Sequence, residues 1–254
     1  MTATQSAIDR LGPTRRPDLP IAGTQQWRSL LFLHWTAPVE LLRPLVPRAF
    51  ELDSHDGVAY VGLVPFAMQK IWSVRWPRFI AFNFLETNVR TYVHYRGRPG
   101  VYFLSLDASS WLAVKGARMG WGLPYYFAQA ELNRKGADPS LIHFHSRRRG
   151  GIGHVTVEYE TGAWLGASRP QTLEHFLLER YLLFVERRGR VLEGQVYHTP
   201  YPAQQATVTS VEESLLAAAG LPTIQGPPTL AHYAEGVDVE IFPLRDVTVS
   251  RHAD

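Results

Sequence analysis

Polar side chains suited to acid/base chemistry alternate along the segment ETNVRTYVHY, residues 86–95. At the two-residue period of a β-strand, Glu86, Asn88, Arg90, Tyr92 and His94 fall on one face. A carboxylate, an amide and a guanidinium that converge in a pocket are what the binding of a small polar ligand requires. An antiparallel strand usually exposes one face to water, however, so a solvated face explains the pattern equally well. The pattern alone leaves both interpretations open.

Two phenols follow a turn-forming tripeptide in the segment KGARMGWGLPYYFA, residues 115–128. Tyr125 and Tyr126 come directly after Gly-Leu-Pro, which favours a turn within an otherwise closely packed segment. A buried turn with aromatic filler is one interpretation, and the floor of a binding site is the other. Lys70, Lys115 and Lys135 are the only lysines, so imine chemistry has few candidate amines.

Other catalytic and cofactor sites find little support in the sequence. Cysteine is absent, which excludes disulfides, thiolate metal sites and a cysteine nucleophile. His143 and His145 fall on one face of a predicted strand, but local sequence places no third metal ligand and contains no HExxH motif. A G-x-S-x-G elbow and glycine-rich phosphate loops are also absent. We therefore expect neither a metal nor another cofactor, and the arginines at 147–149 are interpreted as a solvated turn.

Composition and charge are those of an ordinary globular protein. The chain has 254 residues, of which 45% are hydrophobic and 19% are charged, enough for a sizeable core. Its formal net charge of +3 does not indicate a polyanionic partner, so neither nucleic acid nor a membrane is expected to bind it. The N-terminus lacks the apolar core of a signal peptide, and no apolar run approaches the about 18 residues of a membrane span. We expect a cytoplasmic protein.

The elements predicted from periodicity give an α+β fold. Residues 1–20 are polar and rich in Pro and Arg, which predicts a flexible N-terminal arm, and residues 21–254 form one domain. Strand patterns dominate, and residues 86–95 form a hairpin with the VYFLSLD strand after the turn RGRPG. Helices are predicted at 171–188 and 210–222, each with a capping-box spacing. We expect an antiparallel sheet, closed or nearly closed, with a few flanking helices.

A set of motifs across the chain resembles a known family. They are WRSLLFLHW, DGVAYVGLVPF, FLETNVRTYV, GRPGVYFLSLDA, ARMGWGLPYYFA, FLLERYLLF, HTPYPAQQA and GVDVEIFPL. Together these segments resemble the YqjF-like family of uncharacterised proteins over residues 25–245, and that family is similar to the acetoacetate decarboxylase superfamily. The resemblance implies the cone-shaped or barrel-like sheet of the decarboxylases, and it makes a homo-oligomer plausible.

The resemblance to true decarboxylases also predicts where a site should lie. Arg28, Glu86 and Arg118 match an arginine, a glutamate and a second arginine of the decarboxylase pattern. Decarboxylases carry Pro-Lys-Lys shortly after that second arginine, and the first of these lysines forms the Schiff base. Here Pro124 is followed by Tyr125 and Tyr126. Because a phenol cannot condense with a ketone, decarboxylation through an imine at this position is not expected.

Two classes of function follow from this resemblance. In the first, an enzyme works on a small oxo acid or polyketide-like compound without an imine, as a dehydratase, hydratase, tautomerase or lyase. Its residues would be Arg28 as carboxylate or carbonyl anchor, Glu86 as general acid/base, Tyr125 as hydrogen-bond donor to a developing enolate, and Arg118, Asn88, Arg90, Tyr126 and Trp72 as substrate-binding residues. In the second, the same pocket belongs to a non-catalytic sensor or carrier, with Trp72, Trp76 and Phe79 as its lid. A residual amine enzyme that uses Lys115 or Lys70 is a third possibility.

Overall fold

The computed structural model describes residues 8–75, 77, 81–134 and 140–248; at 116, 117, 119 and 120 only the backbone is described. Strands make up most of the described part of the chain. They are β1 (Gly23–Ala37), β2 (Glu51–Leu52), β3 (Ala59–Ser73), β4 (Phe82–Tyr95), β5 (Arg98–Ala108), β6 (Tyr125–Arg134), β7 (Leu141–Arg148), β8 (His154–Gly166), β9 (Leu182–Arg187), β10 (Arg190–Tyr197), β11 (Ala203–Glu213), β12 (Leu230–Ile241) and β13 (Arg245–Asp246). The α-helices are α1 (Val39–Leu42), α2 (Trp111–Gly120), α3 (Leu173–Leu178) and α4 (Leu215–Ala218).

The sheet closes on itself as a ring of nine strands. Their order is β5-β6-β7-β8-β11-β12-β1-β3-β4, and β4 pairs back onto β5. The β5–β6 pair is parallel, and the other pairs around this ring are antiparallel. The predicted α+β fold with a closed, mainly antiparallel sheet is confirmed.

Strands β9 and β10 close a second, smaller ring on the other side of the same sheet. β9 pairs with β5, β10 pairs with β9, and β10 also pairs with β12. This second ring therefore shares β12, β1, β3, β4 and β5 with the first. A strand shared by two closed rings is covered on both faces, which places β4 in the middle of the protein.

Different side chains fill the two sides of the shared strands. The nine-strand ring is packed with apolar residues such as Leu33, Leu63, Val89, Phe144 and Val157. The other side holds a second apolar cluster, with Leu30, Phe32, Val64, Phe66 and Leu178 among its members. The polar face of β4 lies on this second side.

The helix predicted over residues 171–188 is wrong in its second half. Thr172 caps α3, and its side chain accepts a hydrogen bond from the backbone N–H of His175. The helix ends at Leu178 because Glu179 leaves the helical conformation, with φ −87° and ψ 74°. The segment LLFVER then pairs with β10 as β9. Its apolar residues fit a pleated strand as well as a helical stripe, and the long-range pairing decides between them.

The helix predicted over residues 210–222 is shorter than expected. β11 continues through Glu213, and Ser210 lies opposite Glu158 of β8 instead of capping a helix. The Glu213 carboxylate still accepts a hydrogen bond from the N–H of Leu216, at 2.9 Å, at the start of α4. Gly220 ends this region with φ +96°, as its sequence position predicted.

From residue 8 onward, the segment that was predicted to be a flexible arm lies against the sheet. Arg10 donates to both carboxylate oxygens of Asp53, at 2.7 and 2.8 Å, and Asp53 also pairs with Arg180. Arg16 pairs with Glu240 of β12 at 2.6 Å. Within the described ranges, no helix is long and apolar enough to cross a membrane.

Candidate active site

A carboxylate and a phenol from distant parts of the chain meet on the polar face of β4, the face on the side of the second apolar cluster. The Tyr125 hydroxyl donates a hydrogen bond of 2.6 Å to Glu86 Oε2, and both side chains are buried. Glu86 lies opposite Ala108 of β5, and Tyr125 lies opposite Leu106 in the parallel β5–β6 pair. The register of three neighbouring strands thus brings together two residues that are 39 positions apart.

The Gly-Leu-Pro turn is what delivers Tyr125 to this position. Gly122 adopts φ +69°, which favours glycine and turns the chain after α2. The carbonyl of Pro124 then accepts a hydrogen bond from the N–H of Leu106, which begins the pairing of β6 with β5. The exposed Arg118 donates from Nε to the carbonyl of Tyr125 at 2.6 Å. The interpretation of this segment as aromatic filler is therefore incomplete, because the Tyr125 hydroxyl donates a hydrogen bond to Glu86.

Burial dominates the electrostatics of this pair. Desolvation raises the pKa of Glu86 to about 7, against hydrogen bonds from Tyr125 and Asn88 that lower it, and the charge of Asp107 raises it further. Burial and the neighbouring Glu86 raise the pKa of Tyr125 well above its usual value. Glu86 therefore exchanges a proton near neutral pH, while Tyr125 stays a protonated hydrogen-bond donor.

The remaining polar residues of this strand face are enclosed too, so the interpretation of a solvated face is wrong. Relative exposure is 2% for Glu86, 5% for Asn88 and 8% for Arg90. We call these three residues the polar row of β4. Arg90 lies between aromatic rings, with its guanidinium carbon 5.6 Å from the ring centre of Phe32 and 5.8 Å from that of Tyr92.

A buried ion pair lies on the opposite face of β5 from the polar row. Arg148 Nε donates to the two Asp107 oxygens at 2.8 and 3.0 Å, and Asp107 lies opposite Thr87 rather than Glu86. Burial raises the pKa of Asp107 to about 6, against the opposing charge of Arg148, so Asp107 remains ionised at neutral pH. The placement of all three arginines at 147–149 in a solvated turn is therefore wrong for Arg148, which is 7% exposed.

Tyr126 belongs to this second cluster and not to the Glu86 pair. The ring centre of Tyr126 lies 4.0 Å from the guanidinium carbon of Arg148 and 5.7 Å from that of Arg118. Tyr126 is 42% exposed. Successive residues of a strand point to opposite faces, which separates Tyr126 from Tyr125. Arg118 contacts the site through the backbone of Tyr125 and the ring of Tyr126.

Two predicted site residues lie apart from the pair. Arg28 donates to the carbonyls of Trp27 and Val237. It also forms an ion pair with the exposed Asp238 of β12, the strand paired with β1. Arg28 lies opposite Ala67 of β3, which lies opposite Leu85 of β4, so Arg28 and Glu86 are two strands apart in the sheet, and their meeting in one site stays a prediction. Trp72 is half-buried near the end of β3, opposite Thr24. The other predicted lid residues, Trp76 and Phe79, lie outside the described residues.

Comparisons with known proteins agree with this architecture. The model of the DUF2071 family, described as an uncharacterized conserved protein, matches residues 24–238. The chain belongs to the DUF2071 family. The uncharacterized protein YqjF of Bacillus subtilis (strain 168) is 34% identical over 231 residues, which cover 87% of this chain and 90% of YqjF.

Solved structures show the fold of this DUF2071 chain at low sequence identity. An acetoacetate decarboxylase from Legionella pneumophila subsp. pneumophila str. Philadelphia 1 superposes with a TM-score of 0.63 at 15% identity, over 92% of each chain. The enduracididine biosynthesis enzyme MppR complexed with pyruvate gives a TM-score of 0.59 at 11% identity, over 91% of this chain and 93% of MppR. The acetoacetate decarboxylase-like fold predicted from the sequence motifs is confirmed.

The described lysines of this DUF2071 chain lie outside the site. Lys115 is exposed, with its ammonium 5.1 Å from the ring centre of Trp111, and Lys70 is exposed at the end of β3. Lys135 lies outside the described residues. Among the residues that are described, no group of three or more His, Asp or Glu side chains is arranged to hold a metal ion.

Two surface depressions accompany the site without containing its acid. One, of about 440 Å³, is lined by Ser109, Phe127, Gln129, Glu131 and His145, together with two alanines. Phe127 follows Tyr125 by two residues on β6, and its register partner Ala108 is itself the partner of Glu86, so this depression lies along the strand that carries Tyr125. The other, of about 450 Å³, surrounds Arg28.

Sequence reasoning missed two buried polar residues next to the site, Asp107 and His34. Each stands in an apolar strand, in VYFLSLDA and LLFLHW. A single acid or imidazole inside such a run is itself a signal, because it must find a partner when the strand is buried. The partners, Arg148 and Tyr92, come from distant strands.

Proposed function

We propose that this chain is a small-molecule enzyme of the acetoacetate decarboxylase-like fold that acts on an oxo acid by acid/base chemistry without an imine. The observation that carries the proposal is the buried Glu86–Tyr125 pair. Its carboxyl group titrates near neutrality while its phenol remains a donor. Perturbed acids that are paired with a donor in an enclosed site are typical of catalytic centres.

The pair is suited to moving a proton next to a carbonyl group. The Glu86 carboxylate takes a proton from the carbon beside the carbonyl, and the electrons of that C–H bond form the enolate. Once protonated, Glu86 becomes a donor itself, which releases the Tyr125 hydroxyl to donate to the enolate oxygen. Return of the proton to the same carbon gives exchange, and its delivery elsewhere gives tautomerisation or the first step of a dehydration.

Two facts support the imine-free route and the substrate class. Tyr125 and Tyr126 occupy the positions at which the decarboxylase pattern has lysines, and both Lys70 and Lys115 are exposed. The neighbour MppR is described in complex with pyruvate, an oxo acid. An enzyme that needs an imine would require an amine beside Glu86.

Deuterium exchange tests this proposal directly. Pyruvate, 2-oxobutanoate, acetoacetate and 5-oxohexanoate are incubated with the protein in D₂O, and the loss of C–H signals beside the carbonyl is followed by proton NMR. We expect enzyme-dependent exchange with at least one acid and no borohydride-trapped adduct on any lysine. A trapped lysine adduct would contradict the imine-free route.

The non-catalytic alternative gives a different result in the same assay. A sensor or carrier protein would be stabilised against heat by one of these acids without any exchange. That outcome would replace the enzyme proposal with a binding function for the same site.

A further inference from the structure

A histidine and an arginine flank a glycine in one row across three strands. His34 of β1 lies opposite Gly62 of β3, and Gly62 lies opposite Arg90 of β4. A Cβ on Gly62 would lie 3.2 Å from His34 Cδ2 and 3.5 Å from Arg90 Cγ. The missing side chain therefore lets an imidazole and a guanidinium approach each other on the inner face of the sheet.

The hydrogen bonds around His34 determine which of its nitrogens carries the proton. The Tyr92 hydroxyl donates to the carbonyl of Leu177 at 2.9 Å, so it must accept from His34 Nε2, 2.7 Å away. Burial and the charge of Arg90 hold the pKa of His34 well below its usual value, so the ring is neutral. His34 Nδ1 is then an acceptor, and it is buried without a hydrogen-bond partner.

Arg90 is the exception among the buried arginines of the described chain. Arg148 and Arg180 each have a carboxylate partner at 2.8 Å. No carboxylate of the described residues lies within 4.0 Å of Arg90, whose Nε has no hydrogen-bond partner and whose Nη2 makes one contact of 3.4 Å with a carbonyl. A buried charge without a counterion is costly unless a ligand supplies one.

The length of the polar row sets the length of a ligand that could supply a counterion to Arg90 and also reach Glu86. Four residues along a strand span about 13 Å, so Glu86 and Arg90 lie at opposite ends of the row. Asn88 lies between them, and its Oδ1 is buried without a hydrogen-bond partner. The row thus offers a cation at one end, an acid/base at the other and an acceptor between them.

We infer that Arg90 binds the carboxylate end of an elongated oxo acid whose carbonyl, several bonds away, reaches Glu86 and Tyr125. The acceptor atoms of Asn88 and His34 favour acids that carry a hydroxyl group between the two ends. This inference rests on the proposed function, because it assigns the far end of the same ligand. Short acids such as pyruvate would occupy one end of the row and leave the other empty.

Binding measurements in a catalytically silenced protein test this inference separately from the enzyme proposal. In Glu86→Gln, affinities for pyruvate, acetoacetate, 4-oxopentanoate and 5-oxohexanoate, and for their methyl esters, are measured by calorimetry. We expect affinity to rise at least tenfold from pyruvate to 5-oxohexanoate, and each ester to bind at least tenfold more weakly than its acid. Equal binding of acids and esters would overturn the inference, whether or not the wild-type protein catalyses exchange.

Substitution of Arg90 provides the second arm. Arg90→Met should remove the preference for acid over ester, and Arg90→Lys should restore part of it through the charge alone. Arg16→Met, at an exposed ion pair, is the control and should bind as the parent does. Unchanged preference in Arg90→Met would contradict the assignment.

The melting temperature of the ligand-free protein separates binding from a structural role. Because Arg90 has no counterion, Arg90→Met should unfold at the same temperature as the wild type or higher. Arg148→Met should unfold at a lower temperature, because it leaves the buried Asp107 without its partner. A drop in Arg90→Met as large as that in Arg148→Met would show that Arg90 is structural and would reject the inference.

Discussion

Two buried pairs of a glutamate and a tyrosine occur among the described residues, and they differ in how many hydrogen-bond donors the acid has. Tyr125 donates to Glu86 at 2.6 Å, and Tyr181 donates to Glu179 at 2.7 Å. Glu179 also accepts the backbone N–H of Tyr201 at 3.0 Å and the hydroxyl of Ser168 at 3.5 Å. Apart from Tyr125, the partner of Glu86 is the Asn88 amide. The Glu179 carboxylate thus accepts from three donors, and the Glu86 carboxylate accepts from two.

The origin of each pair also differs. Glu179 and Tyr181 are two residues apart, in the link between α3 and β9, and their network holds that link against the loop that carries Tyr201. Glu86 and Tyr125 come from separate strands that meet through β5. A local pair with a backbone donor is typical of structural anchoring, whereas a long-range pair beside unpartnered polar atoms favours function.

The largest difference should appear in catalysis. Glu86→Gln removes the proton acceptor and should lower the rate of deuterium exchange by about 10²–10⁴-fold, the usual contribution of a general acid/base. Glu179→Gln keeps the Glu86 pair and should retain the exchange rate per folded molecule. Proton NMR of both variants, with folding checked by circular dichroism, measures this contrast. Equal losses in the two variants would remove the distinction between the pairs.

The second-largest effect of Glu86 should be on how the free energy of unfolding depends on pH. Its pKa is raised from 4.5 to about 7, so between these values the folded protein keeps a proton that the unfolded chain releases. The free energy of unfolding therefore falls as the pH rises through this window, by at most about 3 kcal/mol, from the roughly 1.4 kcal/mol per pKa unit and the cited shift.

The Glu86→Gln variant lacks this titrating group. The difference between the free energies of unfolding of the wild type and the variant therefore gives the pH-dependent contribution of Glu86. We expect the variant to match the wild type in urea unfolding near pH 4.5 and to be more stable near pH 8. Subtraction of the two curves cancels the other titrating groups that the substitution leaves in place. A wild-type protein that is more stable than the variant at pH 8 would show that the Glu86 charge is well solvated or paired.

The sequence predicted the strand that carries the polar row, and the physical reason is local. Alternation over residues 86–95 and the turn at Arg96–Gly97, both with positive φ, define the β4–β5 hairpin without reference to the rest of the chain. The same alternation put Glu86, Asn88 and Arg90 on one face. Burial of that face could not be read from the alternation, because it depends on β9 and β10, which close the second ring, and on α3, whose Leu178 packs on the same side.

Long-range pairing also determines the contacts of Arg28 and Arg148, which the sequence did not predict. Arg28 matched a family position, but its charge is taken up by Asp238 and a β12 carbonyl, which are more than 200 positions away in sequence. Arg148 was assigned to a turn, and its burial depends on Asp107 of a different strand. Residue types and spacing thus predicted which groups were available, and strand register decided which of them meet.

The smallest effects should come from the two phenols, and they should differ in kind. Tyr181→Phe removes a hydrogen bond from a carboxylate that keeps two other donors, so we expect a loss of about 1 kcal/mol in the free energy of unfolding. Tyr125→Phe removes a bond that lowers the pKa of Glu86, so the pH at which exchange activity appears should move upward. The midpoint of the pH–rate profile and the urea midpoint of both variants measure these two effects. A Tyr125→Phe profile that is unshifted or moved downward would mean that the phenol does not stabilise the Glu86 carboxylate, and the two pairs would then differ in burial alone.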